Sequence, residues 1–157
     1  MIEIRVADPR SEDLRPLLAA HLSHSQDAGP QESNHTLDIA DLCQPKIRLW
    51  VAYEAGSPVA CGALKTLPDN TLEVKSVHVA KAARGRGLAR QLMEHLHGVA
   101  EMAGADALVL ETGANHLPEY TAARALYESL GYAYCGPIFG YEPDPNSAFM
   151  RLEMKRV

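Results

Sequence analysis

One segment constrains this 157-residue chain more than any other: an apolar, strand-like run that leads through a glycine turn into a long amphipathic helix. The run contains Val77 and Val79, the turn contains Gly85 and Gly87, and five basic residues gather there although the net charge of the chain is −5. A helix N-terminus has unpaired N–H groups and a partial positive charge, so it binds phosphate readily. Glycines let the backbone approach a ligand, and arginines donate paired hydrogen bonds to phosphate. The segment therefore predicts a binding loop for a pyrophosphate group.

The spacing of the glycines distinguishes three nucleotide-binding patterns. A dinucleotide loop requires G-x-G-x-x-G, and Arg90 stands where the third glycine belongs. A Walker loop requires Gly-Lys-Ser/Thr, which does not follow. The pattern Arg/Gln-x-x-Gly-x-Gly/Ala is satisfied by Arg84, Gly87 and Ala89, and it resembles the acetyl-coenzyme A (acetyl-CoA) loop of the GNAT N-acetyltransferase superfamily. The alternative without function is a solvated basic helix start whose glycines serve only the turn.

Hydrophobic periodicity and turn residues predict the order β-α-α-β-β-β-α-β-α-β-β. This order implies an α+β fold with a mixed sheet, in one domain covering residues 1–157. GNAT proteins resemble it element for element, and residues 61–65, 110–113, 125–132 and 144–150 resemble small bacterial members with undefined acceptors. The predicted strands span 2–6, 48–54, 59–67, 72–79, 107–111, 132–135 and 149–154. The predicted helices span 11–22, 38–42, 85–103 and 119–130.

Composition excludes several classes of protein. The apolar fraction of 46% and the charged fraction of 22% are ordinary for a soluble globular domain. The negative net charge argues against broad nucleic-acid or membrane binding, and no run of 18 apolar residues is present. The N-terminus alternates like a strand and does not resemble a signal peptide. Because Cys43, Cys61 and Cys135 are far apart and lack C-x-x-C spacing, we expect reduced thiols and a cytoplasmic location.

The seven histidines raise the question of a metal site. His21 and His24 have helical spacing, and His35 follows in a polar loop. No carboxylate or cysteine completes a convincing ligand set, so we expect no metal and a polar surface at these positions.

The resemblance to GNAT proteins implies how the donor would be bound. In that family the strand before the loop carries a bulge and separates from the next strand, which leaves main-chain groups for the pantetheine arm and the acetyl carbonyl. The amides of the glycine turn would then bind the pyrophosphate, with two arginines beside them. A bulge cannot be read from this sequence. The residues implied are Val77, His78, Val79, Arg84, Gly85, Arg86, Gly87, Leu88, Ala89 and Tyr127.

Acetyl transfer to an amine requires a neutral amine, donors at the thioester carbonyl and a proton for the departing thiolate. The resemblance implies Tyr127 as the proton donor; the alternative is a half-buried core tyrosine. It also implies Glu73 as the base, acting directly or through water; the alternative is an exposed carboxylate at a strand edge. Period-two alternation predicts Glu73, Lys75 and Val77 on one face of the strand and His78 on the other.

The acceptor site is predicted from one residue and two loops. Glu111 is unusual in an otherwise apolar strand, so it is expected to bind the acceptor amine or to pair with Lys65 or Lys75. The resemblance implies that the first helix and the loop at residues 23–36 line the acceptor pocket, and that the loop at residues 141–146 closes its other side. The residues expected to contact the acceptor there are Glu32, Ser33 and His35.

The sequence therefore predicts an acetyl-CoA-dependent N-acetyltransferase that acts by direct transfer in a ternary complex. The expected acceptor is a small-molecule amine, and a protein acceptor is the weaker variant. The rival from another class is a non-catalytic acyl-CoA-binding or sensing module, which would keep residues 84–89 and lack the reacting groups. A dinucleotide oxidoreductase fails the glycine count. The resemblance also allows a homodimer, because many GNAT proteins pair through their late strands.

Overall fold

A computed structural model describes residues 1–27 and 39–154 of the chain. Their seven strands form one sheet in the order β1-β2-β3-β4-β5-β7-β6, and every neighbouring pair is antiparallel except β4 and β5, which are parallel. The predicted fold class and element order are confirmed. The strands are β1 (Ile2–Ala7), β2 (Ile47–Glu54), β3 (Ser57–Leu67), β4 (Thr71–Val79), β5 (Ala107–Gly113), β6 (Ala133–Cys135) and β7 (Ser147–Glu153). The helices are α1 (Arg15–Asp27), α2 (Ile39–Leu42), α3 (Leu88–Met102) and α4 (Thr121–Ser129).

Two apolar layers cover the sheet. The larger one joins α3 and α4 to one face through side chains such as Leu92, Leu96 and Leu108. The smaller one joins α1 and α2 to the opposite face, around Leu14 and Leu49. Within the described ranges, no helix has the length and apolarity needed to cross a bilayer.

The predicted start of the third helix at Gly85 is wrong by three residues. The helix begins at Leu88, because Gly85 and Gly87 have φ values of +77° and +76°. That left-handed conformation cannot belong to a right-handed helix, and glycine adopts it without a steric penalty. The first helix also starts differently, with a short 3₁₀ turn at Glu12–Leu14 ahead of α1.

The sheet opens between β4 and β5. These strands are paired only from Thr71 opposite Ala107 to Val74 opposite Leu110. Beyond Val74 the ladder between them ends, so residues 75–79, here called the β4 tip, lie outside the β4–β5 ladder. The tip continues to pair with β3 on its other side. A gap of this kind in a sheet exposes main-chain groups to a ligand.

A β-bulge lies at the start of the β4 tip. Lys75 is opposite Ala63 and His78 is opposite Cys61, so Gly62 alone faces the two residues between. One of the two is Ser76, which has a φ of +58°. The extra residue shifts the alternation of side chains in the rest of the strand.

The bulge overturns the predicted distribution of side chains on β4. Val77 and Val79 pack in the layer under α3, together with Val74. His78 instead contacts His21 of α1, on the opposite face. The prediction that His78 would lie on the face away from Glu73, and Val77 on the same face as Glu73, was therefore wrong. Because of the one-residue insertion, Glu73, Lys75 and His78 share a face.

Candidate active site

The glycine loop (residues 84–89) connects the β4 tip to α3. A Cβ atom added at Gly85 or Gly87 would meet no atom within 4 Å, so glycine is required there by backbone conformation and not by crowding. The first hydrogen bond of the helix runs from Gln91 N to Gly87 O, at 3.1 Å. The N–H groups of Leu88 and Ala89 therefore have no acceptor inside the helix. Free amides beside open space fit a phosphate group.

Two arginines belong to this loop, and the side chains of both contact protein oxygens. Arg84 Nε donates to the main-chain oxygen of Val79 at 3.1 Å, which ties the loop to the β4 tip. Arg86 forms a two-point ion pair with Glu54 at the end of β2, and Nη1 lies 2.9 Å from Oε1. This hydrogen bond lowers the pKa of the Glu54 carboxyl. A phosphate at the loop would have to compete with Glu54 for Arg86.

The residues present fit a CoA thioester. The glycine loop offers amides and positive charge to a pyrophosphate, and the β4 tip, which runs beside the gap between β4 and β5, offers the main chain of Val77, His78 and Val79 to an extended arm. The thiol of Cys61 helps to hold the tip in place, donating to Ser76 O at 3.4 Å. Burial raises the pKa of Cys61 to about 12, so its thiol stays protonated and acts as a structural donor.

Tyr127 lies on the face of α4 that packs against the sheet. Its side chain is 8% exposed and belongs to the main core layer. Its ring is inclined at 59° to that of Tyr132, with 5.9 Å between the centroids. Burial raises the pKa of Tyr127 to about 12, so the phenol keeps its proton at neutral pH. The residue is therefore a core tyrosine whose hydroxyl is able to donate a proton.

Glu73 is a buried charged residue, only 1% exposed, on the face of the sheet opposite α3. Its Oε2 atom accepts hydrogen bonds from Lys75 Nζ at 2.9 Å and from the hydroxyl of Tyr141 at 2.6 Å. The same two donors contact each other, with Lys75 Nζ 2.5 Å from the hydroxyl oxygen of Tyr141. The alternative of an exposed carboxylate at a strand edge is therefore wrong.

The other carboxylate oxygen of Glu73 differs from the first. Oε1 is buried and has no hydrogen-bond partner among the described residues. A buried acceptor without a donor costs about 1–3 kcal/mol. A donor that reached this oxygen would remove that cost.

Glu111 lies near the end of β5, where it accepts a hydrogen bond from Ser147 Oγ at 2.6 Å. Of the two lysines predicted as its partners, Lys75 pairs with Glu73 instead. Burial raises the pKa of Tyr141, and the charges of Glu73 and Glu111 raise it further. The hydroxyl of Tyr141 is thus influenced by both carboxylates.

The β6–β7 connection supplies Tyr141, which the sequence analysis named only as part of a closing loop. No motif marks this residue. The two hydrogen-bonded partners lie 66 and 68 positions away in the chain, so their contact is purely tertiary.

Two histidines contact each other on the face of the sheet that also carries Glu73. The rings of His21 and His78 lie 5.0 Å apart at an angle of 58°, and both residues are buried. The expected polar surface at His21 is therefore wrong, because α1 packs onto the sheet there. In residues 1–27 and 39–154, no three His, Cys, Asp or Glu side chains are grouped to hold a metal ion. Glu32, Ser33 and His35, which were expected to contact the acceptor, lie outside the described residues.

Comparison with known proteins assigns the architecture to a family. The family model of the GNAT acetyltransferase domain matches residues 45–134. An uncharacterized N-acetyltransferase of Bacillus subtilis is 36% identical over 153 residues, which cover 98% of this chain and all of the relative. An IAA acetyltransferase of Azospirillum brasilense is 44% identical over 126 residues, or 79% of each chain.

A solved structure supports the same assignment. The Klebsiella pneumoniae protein assigned as an acyl-CoA N-acyltransferase is 28% identical, and it superimposes with a TM-score of 0.81 over 99% of both chains. The similarity in fold thus agrees with the similarity in sequence. The chain belongs to the GNAT family of acetyltransferases, enzymes that use an acyl-CoA and act on amine acceptors.

Proposed function

We propose that this enzyme transfers the acetyl group of acetyl-CoA to the primary amine of a small molecule, by direct attack in a ternary complex. One observation carries the proposal: β4 and β5 separate after Val74, so the gap begins next to the buried Glu73 and extends along the β4 tip toward the glycine loop. A donor bound at the loop end and an acceptor bound at the Glu73 end would meet along the tip. Holding two reactants in line removes much of the entropic barrier to their reaction.

On the donor side, acetyl-CoA would supply a thioester already activated for acyl transfer. The amides of Gly85, Gly87, Leu88 and Ala89 would hold its pyrophosphate, with Arg84 and Arg86 adjacent. The main chain of Val77, His78 and Val79 would hold the arm and donate to the acetyl carbonyl. Preorganised donors at a developing oxyanion are a major source of catalysis.

Tyr127 would hold the proton that the departing sulfur needs. Its raised pKa, about 12, keeps the hydroxyl protonated at any pH at which the enzyme works. A thiolate with a pKa near 8.5 is a weak base, so the transfer depends on the proximity that burial in the core provides.

Glu73 would receive the proton of the acceptor ammonium at Oε1, since Lys75 and Tyr141 already occupy Oε2. Glu111 lies on the same face and would bind the acceptor amine. A carboxylate beside the acceptor attracts a cationic amine. Glu32 and His35 are proposed to complete the acceptor pocket.

We further propose that residues 1–157 form one domain acting in the cytoplasm, without a metal. The reduced state of Cys43, Cys61 and Cys135 supports that compartment. Pairing of two copies through the edge formed by the late strands is proposed as well.

The test is release of free thiol from acetyl-CoA with a panel of primary amines. Wild-type protein should turn over at least one amine, and Tyr127→Phe should lower kcat roughly 100-fold, the usual contribution of general acid catalysis. Affinity for CoA, measured by calorimetry, should change little. Tyr134→Phe is the matched control, because Tyr134 is exposed and its hydroxyl donates to Glu128 in α4.

Three results would overturn parts of this proposal. Binding of acetyl-CoA without thiol release for any amine or peptide would indicate the non-catalytic module. Turnover of peptides alone would indicate a protein N-acetyltransferase. Full activity of Tyr127→Phe would remove the tyrosine from the reaction.

A further inference from the structure

We infer that Tyr141 is a positioning residue for acetyl transfer: its hydroxyl, together with Lys75, fixes the carboxylate of Glu73 so that Oε1 faces the acceptor amine. The inference rests on the proposed role of Glu73 as base, and it assigns to the β6–β7 loop a part in the chemistry beyond lining the pocket.

The hydrogen bonds have a defined direction. The ammonium of Lys75 has only donors, so it donates both to Glu73 Oε2 and to the hydroxyl oxygen of Tyr141. Tyr141 therefore has its one proton left for Glu73. Burial and the charge of Glu73 raise the pKa of this phenol, which keeps that proton in place.

Lys75 and Tyr141 both donate to Oε2 of Glu73, and these two hydrogen bonds orient the carboxylate. A carboxylate has two equivalent oxygens and a broad torsion about its last bond. Two donors on Oε2 remove that freedom and leave Oε1 as the oxygen without a partner among the described residues. Its burial means that a donor arriving with the acceptor would satisfy it.

The conformation of the β6–β7 loop fixes the direction of the Tyr141 side chain. Tyr141 N donates to Ile138 O at 3.0 Å, and Gly140, with a φ of +88°, occupies the third position of that turn. A positive φ at this position is the requirement of a type II turn. Ile138 is buried in a small apolar cluster with Phe149, and the Tyr141 ring meets Phe149 edge-on, at 5.6 Å between centroids. The turn and the ring contact thus hold the hydroxyl over β4.

The experiment is a double-mutant cycle of Tyr141→Phe and Glu73→Gln. Tyr141→Phe keeps the ring contact and removes only the hydroxyl, so we expect kcat/KM for the acceptor to fall about tenfold, as for a hydrogen bond to a charged group. The KM for acetyl-CoA should be unchanged. In the Glu73→Gln background the same substitution should have no further effect, because a residue that acts through Glu73 has nothing left to position.

A second variant and a structural measurement guard against misfolding. Gly140→Ala strains the turn but keeps the Tyr141 side chain, and it should lower kcat/KM by a factor that does not multiply with that of Tyr141→Phe. Crystal structures should show one conformer of the Glu73 carboxylate in the wild type and more than one in Tyr141→Phe. Tyr134→Phe should match the wild type in every assay.

The outcomes separate the two proposals. Normal activity of Tyr141→Phe beside an impaired Glu73→Gln would overturn the positioning role and leave the base intact. An equal loss from Tyr141→Phe in both backgrounds would overturn it as well, and so would an unchanged single conformer of Glu73. Normal activity of Glu73→Gln would remove Glu73 as the base and would overturn this inference, but not the acetyl transfer itself. No turnover of any amine by the wild type would overturn the proposed function and this inference with it.

Discussion

The two faces of β4 are built in different ways. On one face Val74, Val77 and Val79 pack in the apolar layer under α3. On the other face Glu73 and Lys75 form a buried ion pair capped by a tyrosine. The face under α3 thus depends on the size of its apolar side chains, whereas the opposite face depends on particular charged residues.

This difference has a consequence for specificity. A donor site made of amides and glycine conformations recognises a ligand common to a whole family and tolerates changes of sequence. An acceptor site made of side chains from separate loops changes with each substitution. We therefore expect the charged face to be the more sensitive of the two to substitution, and three pairs of variants test the contrast through stability and CoA affinity.

The largest effect is expected from Lys75→Met. The side chains of the Glu73–Lys75 pair are 2% and 9% exposed, so removal of the lysine leaves a buried charge without its partner. The free energy of unfolding should fall by about 3 kcal/mol, measured by chemical denaturation. The control is Arg10→Met, which breaks an exposed pair with Asp8 and should leave the free energy of unfolding almost unchanged. Similar values for the two variants would contradict the contrast between buried and exposed pairs.

An intermediate effect is expected from alanine at two glycines, one in the glycine loop and one inside α3. Gly87→Ala forces a left-handed φ on alanine, at a cost of about 1 kcal/mol, and should weaken CoA binding. Gly98 lies inside α3 where a Cβ meets no atom within 4 Å, so Gly98→Ala should stabilise the fold by about 0.5–1 kcal/mol. Thermal unfolding and calorimetry measure both quantities. Unchanged CoA affinity in Gly87→Ala would argue against the loop as the phosphate site.

The smallest effect is expected from Glu54→Gln. Loss of the carboxylate charge releases Arg86 toward the glycine loop, so the affinity for CoA should rise by up to about threefold at low salt and converge with that of the wild type at high salt. Calorimetry at two ionic strengths measures the change. The control is Glu3→Gln, at an exposed pair with Arg5. A decrease in affinity would mean that Glu54 orients Arg86 for the ligand.

The sequence predicted the parts of the molecule that depend on local pattern. The run containing Val77 and the glycines at 85 and 87 define a strand, a turn and a helix within 20 residues, and the element order follows from such patterns along the chain. The exact start of α3 was missed because periodicity continues through Gly87, whereas the positive φ of that residue ends the helix.

The charged face of β4 was less predictable for a physical reason. The bulge at Ser76 arises from pairing with β3, not from a residue type that demands it, so simple alternation placed His78 on the wrong face. Tyr141 meets Glu73 only because the β6–β7 connection folds over β4. Contacts between residues so distant in the chain produce no periodic pattern in the sequence.

The extra residue at Ser76 also bears on protein engineering and on the comparison of homologues. Grafting the end of this strand from a relative that lacks the insertion would rotate every later side chain by half a turn, and would present the two valines to α1 and the imidazole to α3. An alignment gap placed one position away would equate residues from opposite sides of the sheet. The register of this short stretch therefore has to be transferred as a unit, together with the strand that pairs with it.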